Sequence, residues 1–182
     1  THKEQELLLF TSIVHDWAEP AVGDIMRYVK TKEDDERELK LLKNVLFEVL
    51  GLAIDPTTVQ KTCEILGNKD SKLGRAFNTI ETLGYFETAF RAWEMSQKVN
   101  GDMKMRLKWL TSNVLLIDIA KLIDRAKTYR SAKFFLDKHR NVIRDAFTTM
   151  PGSAFKFHRH NKIEYYHNVF EKQKRLWLRL NK

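Results

Sequence analysis

The sequence predicts an all-α protein, and three observations carry that expectation. Apolar residues recur at three- and four-residue spacing along most of the chain. No stretch alternates apolar and polar residues between turn signals. Only 3 Pro and 7 Gly interrupt 182 residues, which suits long helices rather than many turns. Hydrophobic residues make up 43% of the chain, enough to bury a core. The expected architecture is an antiparallel helical bundle of about four long helices over residues 71–182, preceded by shorter N-terminal helices. Residues 1–70 read as an N-terminal helical layer or subdomain, with one continuous domain as the alternative.

Each element follows from local signals. Leu7, Phe10, Val14 and Trp17 share one face of a helix over Lys3–Ala18. Pro20 opens a short helix through Val29. The acidic run after Lys32 is a polar connection or a charged first turn, which the helix dipole favours. Leu39, Leu42, Leu46, Val49 and Leu50 form the next apolar face, ending at Gly51 as a C′ glycine would end it. Asp55-Pro56 is an N-cap followed by proline at the first helical position. The helix it opens turns Val59, Cys63 and Leu66 inward and closes at Gly67. A long helix over 71–99 carries Leu73, Phe77, Ile80, Tyr85, Trp93 and Met95. Asn100-Gly101-Asp102 is a turn with a cap built in, and a second long helix over 102–129 places Met103, Leu107, Leu110, Val114 and Ile117 in line. One helix from about Ser131 carries Phe134, Phe135, Val142, Ile143 and Phe147. Met150-Pro151-Gly152 breaks the chain, and Ser153 caps a final helix to the C-terminus.

Charge is unevenly spread. Residues 1–60 hold 7 Lys and Arg against 12 Asp and Glu, whereas residues 121–182 hold 16 against 5, a net of +11. A field of that sign concentrates polyanions. The alternative is ordinary solubility, with the acidic and basic thirds packing together. The lone Cys63 excludes an internal disulfide and fits a reducing compartment. No apolar run approaches the ~20 residues of a membrane span. An intracellular, cytoplasmic location is expected, provided no targeting segment precedes Thr1.

Residues 153–182 concentrate the groups that move protons or hold phosphate. On a helix, His160, Glu164, His167 and Glu171 line up, with Arg159, Asn161 and Lys162 beside them. An imidazole accepts a hydroxyl proton near neutral pH and a guanidinium holds the adjoining phosphate, the minimum for metal-independent cleavage through a 2′-hydroxyl. The alternative is a solvated helix face. Glu164-x-x-His167 has the spacing of di-iron bundles, but the chain offers no second copy, so no metal or other cofactor is expected. Lys172, Lys174, Arg175 and Arg179, around Trp177, suit a nucleic-acid backbone or an anionic membrane surface. The alternative is a core Trp177 with snorkelling cations.

Over about residues 75–175 the chain resembles domains of the HEPN superfamily, in an abortive-infection-like form. The likeness rests on the long helix ending in LLIDIAKLIDRAKT, the shorter Phe- and Leu-rich helix, and the Arg, Asn, Lys and His cluster opening the last helix. The resemblance implies a helical fold, RNA cleavage in a homodimer, and a motif of Arg, four to six residues, then His. Here seven residues separate Arg159 from His167, and four separate Lys162 from His167. The expected function is binding, extended to cleavage, of RNA. Arg159 or Lys162 would hold phosphate, His167 would act as base, and His160, Asn161 and the tail cations would bind the strand. The alternative is a non-enzymatic basic helical module, a nucleic-acid-binding regulator or a viral or phage structural protein.

Overall fold

A computed structural model describes residues 1–23, 30–51, 53–157 and 163–180. The fold is all-α, with no strand among the described residues. Contacts divide the chain into two compact units, Thr1–Ile80 and Glu81–Lys182.

The first unit contains α1 (His2–Val14), α2 (Glu19–Val22), α3 (Lys32–Leu50), α4 (Pro56–Gly67) and the start of α5 (Lys72–Ser96). Side chains that satisfy free N–H groups set the helix starts. Thr31 accepts from the Asp34 amide while the Asp34 carboxylate accepts from the Thr31 amide, a reciprocal capping box. The acidic run is therefore the first turn of α3, and these hydrogen bonds hold the Asp34 carboxyl below its usual range. Asp55 caps α4 by accepting from the Thr57 amide, with Pro56 at the first helical position. Val14, Ala18, Leu42, Leu46 and Val59 form the core of this unit.

The second unit contains the rest of α5, α6 (Gly101–Ala126), α7 (Arg130–Lys138), α8 (Arg140–Thr149), a 3₁₀ segment (Gly152–Phe157) and α9 (Ile163–Leu180). Gly101 takes φ +61° at the entry to α6, a conformation that glycine adopts without cost. Helix α6 packs against α7, α9 and the 3₁₀ segment. The core joins Phe86, Phe90 and Trp93 from α5, Leu115, Ile119 and Leu122 from α6, Ile143 and Phe147 from α8, Phe155, and Phe170 and Trp177 from α9.

Several expectations are corrected. The first helix stops at Val14, and turns cover His15–Ala18. Gly51 keeps a right-handed conformation (φ −60°) rather than a left-handed cap. The single helix expected from Ser131 is two, broken at His139, whose ψ of 11° leaves the helical range. That break lets α7 bury Ala132 and Leu136 while Phe134 stays 70% exposed. Ser153 does not cap an α-helix. The chain instead tightens into the 3₁₀ segment, burying Ala154 and Phe155. Of the final helix, the structure shows the part from Ile163 onward. The expected short helix from Pro20 is described only to Val22, and 24–29 lie outside the described residues.

Candidate nucleic-acid interface

Helix α9 has one face committed to the core. Phe170 and Trp177, seven residues apart, are each 2% exposed, with Tyr166, Val169 and Leu178 packed alongside. Phe170 lies 5.1 Å from the Phe147 ring and 5.3 Å from the Phe155 ring. This apolar contact fixes the rotation of the helix about its axis, and so fixes what faces outward.

The outward face carries a row. Tyr165, Asn168, Lys172, Arg175 and Arg179 are all exposed. Their spacing of three, four, three and four residues keeps them within an arc of about 80° at ~100° per residue. The row runs about 21 Å along the helix at 1.5 Å per residue. Among the described residues, none of Lys172, Arg175 and Arg179 is in an ion pair. The Arg175 Nε donates to the Glu171 carbonyl at 3.2 Å, which steadies the stem of that side chain. Lys174 is different. It points to the other side of α9, is half-buried, and pairs with Glu171 at 3.3 Å.

His167 is exposed, with its ring edge-on to Phe155 at 5.7 Å. It stands roughly 120° around the helix from the centre of the cationic row. Glu164 and Glu171 share its flank, as the helical spacing required. Arg159, His160, Asn161 and Lys162 lie outside the described residues. Among the described residues, no group of His, Cys, Asp or Glu is arranged to hold a metal ion. No helix is long and apolar enough to cross a membrane, again among the described residues.

Cationic side chains outside the tail also matter. Arg106 and Lys156 lie over the Phe157 ring, 5.2 Å and 4.9 Å from its centroid, and both are exposed. Lys156 is also 3.5 Å from Asp102. Sequence reasoning passed over this pair because its members are fifty positions apart. Their only signal was membership of a basic region. Lys108 is 8% exposed, and its ammonium sits 4.7 Å over the Trp93 ring. Trp93 in turn donates Nε1–H to Asp145 at 2.9 Å. Burial, and then the neighbouring Lys104 charge, push the Lys108 amine below its usual range, which marks it as a packing group. Cys63 is half-buried and its thiol is pushed up by burial, so it holds little thiolate.

Charge follows the units. Residues 81–182 hold 21 Lys and Arg against 10 Asp and Glu, whereas residues 1–80 hold 11 against 14. No family model matches the chain, and no curated protein and no solved structure matches it.

Proposed function

We propose that this protein binds nucleic acid, RNA foremost, through the outer face of α9. The observation that carries the reading is the row of Lys172, Arg175 and Arg179, exposed and without carboxylate partners among the described residues, on the unit with a net charge of +11. Phosphate contacts from such cations release condensed counterions, the main source of sequence-independent affinity for nucleic acid. An anionic membrane fits less well. A helix that lies on a bilayer needs a free apolar face, and that of α9 is buried around Phe170 and Trp177.

The cleavage implied by the HEPN resemblance needs a cation holding phosphate beside His167. Arg159 and Lys162, the residues given that role, lie outside the described residues, and the exposed row carries binding by itself. One assay tests both. Labelled RNA is titrated with the protein at about 50 mM salt, and the same samples are run on a denaturing gel. Binding that weakens in K172Q/R175Q/R179Q, with intact RNA on the gel, is the expected result. Cleavage lost in His167→Ala would establish the enzymatic reading instead. Absence of RNA binding, or tight capture by vesicles containing phosphatidylserine with no RNA bound, overturns the proposal.

A further inference from the structure

The cationic row ends on an aromatic ring, and that ring bears on which form of nucleic acid fits. Tyr165 is 61% exposed and lies at the start of the row, one helical turn before Asn168 and two before Lys172. Its ring is set edge-on against Tyr166, with centroids 5.4 Å apart and planes at 76°. Tyr166 packs against the core of its unit, so Tyr165 is supported from one side while its remaining surface faces solvent. The phenol also lacks the long flexible stem of a lysine or arginine, so little entropy is lost when it holds a ligand.

From this geometry we infer that the outer face of α9 is selective for unpaired strands, with Tyr165 stacking a base while Lys172, Arg175 and Arg179 follow the phosphates. The inference rests on the binding reading above and specifies its ligand. A duplex offers phosphates to the cations but keeps its bases stacked on one another, so Tyr165 gains nothing from it. An unpaired strand offers both a backbone and free base faces, the combination that cation-lined, aromatic-bearing surfaces use without sequence preference. Asn168, between ring and cations, adds an amide that donates to phosphate or ribose oxygens and carries no charge.

The test compares a 5′-labelled 12-nucleotide RNA of mixed sequence with a duplex of the same length, by fluorescence anisotropy at fixed salt. The proteins are the parent, Tyr165→Phe and Tyr165→Ala. The parent is expected to bind the single strand more tightly than the duplex. Tyr165→Ala is expected to lose roughly 5- to 150-fold in single-strand affinity, the range for removal of one stacked base, with duplex affinity unchanged. Tyr165→Phe keeps the ring and is expected to stay within about twofold. As a readout that needs no variant, a strand carrying 5-iodouridine is photo-crosslinked to the parent and the adduct mapped by mass spectrometry, with Tyr165 the expected site. Duplex binding as tight as single-strand binding, or crosslinks confined to other residues, overturns the inference and leaves the general binding reading in place. So does full single-strand affinity in a folded Tyr165→Ala. Loss of binding to both nucleic acids in the parent instead overturns the binding reading itself.

Discussion

Truncating Trp177 to alanine separates the structural face of α9 from its outward face. Trp177 is 2% exposed and lies seven residues from Phe170 on the same buried stripe. A buried tryptophan removes about 150–250 Å² from water, worth up to about 4–6 kcal/mol at ~25 cal/mol/Å². Truncations of buried aromatics cost about 3–5 kcal/mol once the residual cavity is included. That is a large part of the ~5–15 kcal/mol that stabilises an ordinary domain. Urea denaturation of the full chain, followed by far-UV circular dichroism, is the assay. With a slope of ~2 kcal/mol/M, the midpoint of the transition that contains α9 should fall by about 2 M. The variant K172Q/R175Q/R179Q changes three exposed positions, each worth no more than about 0.5 kcal/mol, and should lose less than about 1.5 kcal/mol in all. A loss below ~1 kcal/mol for Trp177→Ala, or an equal loss in the triple variant, would show that the helix is rotated differently from the structure. The outward row would then lose its basis.

Other predictions concern the junctions and the cap. His139 lies tilted against both the Phe90 ring at 5.0 Å and the Phe135 ring at 4.5 Å, which stack on each other, and its Nε2 is buried without a hydrogen-bond partner among the described residues. Burial, and then the Lys138 charge, depress its pKa below the usual value, opposed by Glu87 and Glu94. The unfolded chain therefore binds the proton more tightly. Stability from this group is complete above about pH 6.5 and declines as pH falls through the lowered value. The difference in urea midpoint between pH 7.5 and 5.5 should shrink in His139→Phe, and an unchanged difference would contradict the depressed pKa of the imidazole. Thr31→Ala removes the capping box of α3 and should cost about 0.5–2 kcal/mol, seen as a lower thermal midpoint. Thr31→Asp, which can still cap, should recover most of it.

The all-α class was legible because helical periodicity met no competing strand signal. Helix starts were legible at Asp55-Pro56, where the Asp55 side chain caps α4, and at Asn100-Gly101, where the turn leads into α6 without a side-chain capping hydrogen bond. The buried stripes of α5 and α6 were harder. Both helices carry apolar residues on more than one side, so periodicity alone does not choose the inner one. Ile80, Met95, Met103 and Leu110 are 43–58% exposed, while Phe86, Leu115 and Leu122 are completely buried. The break at His139 gave no sequence signal, since no glycine or proline marks it and the apolar pattern runs through it. The tail was legible as basic, and its helical spacing already separates Lys174 from Lys172, Arg175 and Arg179. What spacing could not supply was the rotation of α9, which the burial of Phe170 and Trp177 sets.

The central claim is that the α9 row contacts nucleic-acid phosphates, and the salt dependence of RNA affinity tests it most directly. Each neutralised phosphate on a single strand contributes about 0.7 to the slope of log K against log salt. Between about 50 and 200 mM salt, K172Q/R175Q/R179Q should therefore show a slope shallower by about 2, along with weaker binding at low salt. A triple variant with the affinity and slope of the parent would contradict the claim.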